Sequence, residues 1–213
     1  MVKQHEDHGD TPRPPGRPLD TARSQTITEA ALEVLAEVGY RGFTMVKVAD
    51  RAGASTATLY RRWNGKQELF LEAITLLARR EANHPDPGPF PPAPDTGSVV
   101  TDVEILLVRL IALYNSPEGG VFYGLIDEMR RNPQLQKTFR EQFINPPRAT
   151  TKTALRRGIA RGELHDIADL DLLVDACYGP VQTRALLSGE PLDEAFAART
   201  ARTLLRPYLT TPP

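Results

Sequence analysis

Within twelve positions, from Ser55 to Lys66, the chain places Ser55, Thr56, Thr58, Tyr60, Arg61, Arg62 and Lys66, and no acidic residue interrupts them. Hydroxyl, phenol, guanidinium and ammonium groups at this density suit hydrogen bonding to phosphate oxygens and base edges. Thr56 and Thr58 are spaced to reach base edges, including thymine methyls. Tyr60 and Lys66 lie toward the end of the same segment, where phosphates are the natural partners, and Thr44 can reach phosphate from the start of the preceding helix. Arg61 and Arg62 can take guanine or phosphate. No nucleophile motif, phosphate-cradling glycine loop or dinucleotide fingerprint occurs in the chain. Recognition is therefore expected rather than catalysis, and no cofactor.

Short helices must hold these groups. Thr44 can cap a helix by accepting from a free backbone N–H. Val48, Ala49 and Ala52 form its narrow apolar stripe, and Gly53 stands where a left-handed residue ends a helix at little cost. Ser55 can cap the next helix, Ala57 is small enough to allow the pair to cross closely, and Leu59 and Trp63, four apart, face inward. This is a helix-turn-helix pattern. Upstream, Ile27, Ala31, Val34, Leu35 and Val38 mark a first helix starting between Asp20 and Arg23 and stopped by Gly39, with Tyr40 and Phe43 packing beneath. Downstream, Lys66 opens a helix with Leu69, Phe70, Ala73, Ile74 and Leu77 as its inner face. A cation in a first helical turn opposes the macrodipole, a conflict that a bound phosphate would remove.

The formal net charge of the 213 residues is −1, but it is unevenly spread. Residues 1–66 hold ten lysines and arginines against eight acids, and the remainder holds sixteen against nineteen. Local positive charge on a neutral carrier suits a protein that must also leave non-specific DNA. One cysteine, Cys177, is expected to be a small buried apolar side chain. With no intrachain disulfide possible, no apolar run of membrane-spanning length and no secretion-signal core, a cytoplasmic location without membrane contact is expected.

No run alternates as a strand does, and the expected fold class is all-α. Residues 1–18 read as a flexible arm, 19–66 as the helix-turn-helix head and 67–213 as a larger helical domain. The proline-rich stretch 84–97 reads as a stiff spacer. About five helices follow it: Val99 to Asn115, Glu118 to Arg130, Pro133 to about Arg161 with a bend near Pro146-Pro147, Asp169 to Ser188, and Leu192 to Tyr208. His5, Glu6, Asp7 and His8 are a loose metal-ligand cluster, better read as solvated tail because a site needs a fixed framework.

Two further sets remain open on spacing alone. Tyr114, Phe122, Tyr123, Met129, Phe139, Phe143 and Ile144 can line a cavity between facing helices or simply fill a core. Leu173, Val174, Cys177, Tyr178, Val181 and Ala185 on one helix, with Phe196, Leu204, Leu205 and Tyr208 on the next, can pair with a second copy or pack within the chain.

The chain resembles the TetR family of bacterial transcriptional regulators. The matching residues are Gly39-Tyr40, Gly42-Phe43-Thr44, Val48-Ala49, Ala52-Gly53, Ser55, Ala57-Thr58-Leu59-Tyr60, Trp63, Lys66 and Leu69. A looser likeness continues through the turn from Ala160 to Leu164 and the segment from Gly189 to Phe196. Gly65 stands where the family usually has a serine cap, and Ala54 where it usually has valine. The resemblance implies a homodimer that binds a palindromic double-stranded DNA operator, with Arg17 of the arm (Arg13 less so) reaching the minor groove. It also implies a two-fold four-helix interface that includes Tyr178, Val181, Ala185, Leu204 and Tyr208. The larger domain is expected to hold a small apolar or amphipathic effector near Tyr114, Phe122, Met129 and Phe143, whose binding releases a repressor. The alternative is a dimer that binds DNA or recruits a partner without any ligand.

Overall fold

In the computed structural model, residues 21–82 and 90–211 are described. Arg13, Arg17, the cluster from His5 to His8 and the first part of the proline-rich stretch lie outside these residues. Among the described residues the chain is helical, with a lone antiparallel bridge between Leu164 and Leu209.

Helix α1, Thr21–Gly42, buries Ile27, Ala31, Val34 and Leu35 and breaks at Gly39, whose φ of 61° is left-handed. Val38 does not join the buried face; it is 37% exposed, because the helical register ends beside it. Its side chain lies over Gly42, where an added Cβ would come within 2.8 Å of the Val38 Cβ. Helix α2, Met45–Arg51, starts at Thr44, and α3, Thr56–Tyr60, starts at Ser55. Helix α4, Lys66–Ala82, buries Leu69, Phe70, Ala73, Ile74 and Leu77. Gly65 supplies no cap side chain. Glu68, in the first turn of α4, substitutes by accepting from the backbone N–H of Asn64 at 2.7 Å and from its side-chain amide at 2.9 Å.

Helix α5, Val99–Asn115, runs through the larger part, and α6, Val121–Arg131, folds back onto α1. One continuous core joins Ile27, Tyr40, Phe43, Leu59 and Trp63 of the first four helices to Val121, Leu125, Leu135 and Phe139. The head is therefore seated on the larger part through buried side chains. The expected helix from Pro133 is a relay: α7, Pro133–Phe139, a π-helical turn, Arg140–Ile144, and α8, Asn145–Ala160. Proline removes an i→i−4 hydrogen bond and crowds the preceding turn, so the wide turn just before Pro146-Pro147 lets the helix continue. Helix α9, Leu170–Thr183, passes through Pro180 and ends in a second π-helical turn, Arg184–Ser188. Helix α10, Glu194–Leu205, is followed by a 3-10 turn, Arg206–Tyr208. A second core gathers Val103, Leu107, Leu155, Val174, Val181, Ala197 and Leu205. Cys177 belongs to it and is fully buried, as expected.

The described part of the connector is not a free spacer. Arg157 donates to the carbonyl oxygens of Ala93 and Pro94 at 3.3 and 3.2 Å, and Arg161 bonds Asp95 at 2.9 Å. The buried carboxylate of Asp102 accepts from the Thr96 backbone N–H and hydroxyl, both at 2.8 Å. These polar groups fasten residues 93–96 against α5 and α8, a job that proline content did not disclose.

Candidate nucleic-acid interface

The two short helices are built by their caps. The Thr44 hydroxyl accepts from the Lys47 N–H at 3.2 Å, and the Ser55 hydroxyl accepts from the Thr58 N–H at 3.2 Å. Gly53, at φ 58°, turns the chain between them. Leu59 and Trp63 are sealed in the core, and the Trp63 indole N–H donates to Glu72 at 2.5 Å, fixing the end of α3 to α4. Arg51 ties α2 to α1 by bonding Glu33 at 3.0 Å and Glu37 at 2.7 Å. The hydrogen bond from Arg51 holds the Glu37 carboxyl below its ordinary value.

With Leu59 and Trp63 inward, the opposite face of α3 is open. Tyr60 is 58% exposed, Arg61 and Ser55 are exposed, and Thr56, Thr58 and Arg62 are half-buried. Thr44 is exposed at the head of α2. The structure thus brings the hydroxyl, phenol and cationic groups of residues 44–62 onto neighbouring surfaces. The Ser55 hydroxyl is already engaged, with its own cap and with Thr58 Oγ1 at 2.9 Å.

Three details differ from expectation. Ala57 is exposed, so it does not mediate the helix crossing; Ala52 and Ala54 pack against the core there instead. Ala57 therefore presents a methyl on the same face as Tyr60. Lys47, also exposed, is a further cation on α2, one turn into the Thr-capped helix, where it shares a surface depression with Val34, Glu37 and Val38 of α1. Lys66 has a partner within the chain. Its Nζ donates to the Tyr40 carbonyl at 3.4 Å and sits 4.3 Å from the centre of the Tyr40 ring. That carbonyl and ring offset the macrodipole conflict without a phosphate. The Tyr40 phenol is pushed up to about 12, by burial first and by Glu128 second.

A mostly apolar cavity of about 330 Å³ opens between α4, α5, α6, α8 and α9, with a narrower lobe of about 70 Å³ sharing its wall at Phe90 and Tyr178. Tyr114, Phe122 and Phe143 line it, as do Phe139 and Ile144. Met129 does not: it is half-buried against the first core, one face away on α6. Tyr178, expected at a dimer face, lines this cavity, its hydroxyl 2.9 Å from Thr151 Oγ1 and 3.3 Å from the Pro147 carbonyl oxygen. Val181 is fully buried and Ala185 6% exposed within the single chain. Leu204 and Tyr208 are half-buried against the second core. Of the stripe on α9, Leu173, Val174, Cys177 and Val181 pack in the second core with residues of α5 and α10.

Two capped helices crossing at a left-handed glycine, the second bearing an open hydroxyl-rich and basic face, define a helix-turn-helix DNA-binding protein. Residues 27–73 match the family model for bacterial regulatory proteins of the tetR family, and residues 93–204 match that of the tetracyclin repressor-like C-terminal domain. The chain belongs to the TetR family of transcriptional regulators, not to a family of enzymes. It is 32% identical over 181 residues to the HTH-type transcriptional regulator YdeS of Bacillus subtilis (strain 168), covering 85% of this chain and 87% of that one. It is also 32% identical over 177 residues to the DNA-binding transcriptional repressor TetR of Mycobacteroides abscessus, covering 83% and 88%. The crystal structure of the TetR family transcription regulator SCO0332 superposes with a TM-score of 0.64 at 27% identity, covering 86% of this chain and 96% of that one.

Proposed function

We propose that the protein is a homodimeric repressor that binds a palindromic operator and is released by a small molecule entering the cavity. The observation that carries this reading is that α4 takes part in both places. Ile74 and Ala78 of α4 line the cavity, while Leu69 and Phe70, one to two turns earlier, pack in the same core as Tyr40, Leu59 and Trp63 of the head. A ligand that shifts the cavity end of α4 therefore moves the end that carries the DNA-facing helices. Helix α6 adds a second mechanical link, since Phe122 lines the cavity and Val121 and Leu125 pack in the core shared with α1.

On the DNA, Thr56, Thr58 and the Ala57 methyl face base edges, and Thr44, Tyr60 and Lys66 take phosphates, with Arg61 and Arg62 on either. The Lys66 ammonium has three donors, of which Tyr40 uses one. One five-residue helix reads few base pairs, so specificity requires two copies spaced by about 34–36 Å, one DNA turn. The surface that best supports pairing is the outer side of α9, where Leu172 is 66% exposed and Leu187, in the following π-helical turn, 82% exposed. Between them on that side lie the half-buried small residues Ala176 and Gly179.

Release is a change of spacing. To take the dimer from almost fully bound-competent to almost fully incompetent, the effector must prefer the wrongly spaced state by about 5.5 kcal/mol. Selection of bound duplexes from a random pool, followed by footprinting, tests the DNA half: a protected inverted repeat is expected, and no enriched sequence would sink it. Operator-bound and ligand-bound structures test the release half, which fails if the separation of the two heads is the same in both.

A further inference from the structure

The cavity walls narrow the chemistry of what can fill them. Four charged side chains reach the two lobes: Glu81, Arg109, Arg148 and Asp175, two of each sign. Each has a partner in the protein. Arg148 bonds Asp171 at 3.1 Å and pairs with Asp175, Glu81 meets Arg80 at 3.3 Å, and Arg109 donates to the Pro92 carbonyl oxygen at 3.3 Å. Asp171 is further held by Lys152 at 2.5 Å. In the larger lobe, where Arg148 and Asp175 offset each other, a charged ligand would lose its hydration without meeting an opposite net charge.

The uncharged polar groups are differently placed. Among the described residues the half-buried amide of Gln182 has no hydrogen-bond partner, so it offers two donors and an acceptor to the cavity. Thr151 Oγ1 lies 2.9 Å from the Tyr178 oxygen and 3.1 Å from the Pro147 carbonyl, which Tyr178 also reaches. However this trio shares its protons, the Tyr178 hydrogen is taken up by the protein and its oxygen keeps a lone pair. Burial raises the Tyr178 phenol above its ordinary value, so that hydrogen stays in place at neutral pH. Aromatic rings make much of the remaining wall: Phe139 stacks on Phe143 at 4.9 Å, Phe90 meets Phe143 edge-on at 6.3 Å, and Tyr114 meets Phe122 edge-on at 5.5 Å. Such faces and edges favour a flat π system.

We propose that the cavity takes an uncharged, flat, ring-containing molecule with a hydrogen-bond donor at one end, read by the Tyr178 oxygen and the Gln182 amide. This rests on the cavity being the effector site of the regulator. The ring body lies among Phe90, Phe122 and Phe143, and the Arg148–Asp175 pair rejects ions without recruiting them.

The test uses the full-length protein and four probes of one shape: 2-naphthol, naphthalene, 2-naphthoate and 2-naphthylmethylammonium, with binding read by calorimetry and release read on the selected operator. The expected result is that 2-naphthol binds best, with naphthalene weaker by about 25-fold, the net effect of two hydrogen bonds, and both ions weaker than naphthalene. Gln182→Leu and Tyr178→Phe should each weaken 2-naphthol about fivefold and leave naphthalene unchanged. Preference for either ion, or loss of both neutral probes in equal proportion in Gln182→Leu, would overturn the ligand class and leave the effector site standing. Preferential binding of 2-naphthol without operator release would uphold the chemistry and sink the effector role. If none of the four binds at about 1 mM, both fall.

Discussion

Lys66 reaches back 26 positions to Tyr40, placing its ammonium 3.4 Å from the backbone oxygen and 4.3 Å from the ring centre of the same residue. The start of α4 is thereby latched to the end of α1. The same cation that would meet a phosphate also fixes the angle at which the head meets its connecting helix.

That dual placement makes a testable difference between Lys66 and Tyr60. Tyr60→Phe removes an exposed hydroxyl and should weaken operator and non-operator DNA alike, leaving the melting temperature unchanged. Lys66→Met should reduce the salt dependence of binding, by about one unit in the log–log slope for each phosphate left without its cation. It should also cost up to about 1 kcal/mol of stability, the scale of a partly exposed cation–π interaction. Titrations of both variants at several salt concentrations decide the matter; an unchanged slope in Lys66→Met would remove its phosphate role and leave the latch alone.

Gly53 is the hinge of the motif, at φ 58° with open space around its Cα. A side chain there meets no neighbour, so the penalty is conformational alone, about 1–2 kcal/mol for a non-glycine residue held left-handed. Gly53→Val should therefore lower the melting temperature by about 2–8 °C for a chain of this size. Gly53→Asn, which tolerates this region better, should lose less. Equal losses in calorimetry would mean that the turn is set by packing rather than by φ.

The caps and the inward pairs were legible because they depend on neighbours a few residues away. Thr44, Ser55 and Gly53 act within one turn, and Leu59 and Trp63 lie four apart. What spacing could not supply was the identity of the surface on the other side. A stripe through Val174, Cys177 and Val181 is apolar whether it meets α5 and α10 or a second copy, and only the assembled fold brings those two helices against it. Met129 sits on an amphipathic helix with two occupied faces, one on the cavity and one on α1, and composition does not say which face takes it. Ala57 fits a close crossing or an open face equally well. Glu68 standing in for the missing cap at Gly65 was readable in principle, since an acid three residues into a helix is a capping-box signal.

Cys177 links packing to pH. Burial pushes its thiol up to about 12 from an ordinary 9.0. Between these values the unfolded chain loses a proton that the folded chain keeps, so stability is intact below about pH 9 and declines as pH rises above it. The slope approaches about 1.4 kcal/mol per pH unit once the unfolded thiol is ionised. Native protein should resist alkylation at pH 8 and react at the unfolded rate in denaturant. Cys177→Ala should flatten the alkaline decline in stability measured between pH 9 and 11. Rapid labelling under native conditions would show that the second core opens locally.

The outer side of α9 makes the sharpest separation between pairing and folding. Leu172 and Leu187 are exposed on it, whereas Val181, between them in sequence, is fully buried in the second core. Leu172→Glu combined with Leu187→Glu should yield a folded monomer whose melting curve stays cooperative and whose operator affinity falls at least tenfold, because each half-site must then be bound alone. Val181→Asp should instead unfold the larger part, since an unpaired buried carboxylate costs several kcal/mol. Light scattering and calorimetry on the two variants distinguish the surfaces. A double variant that remains dimeric places the pairing surface elsewhere, with the exposed positions of α10 next to be tried.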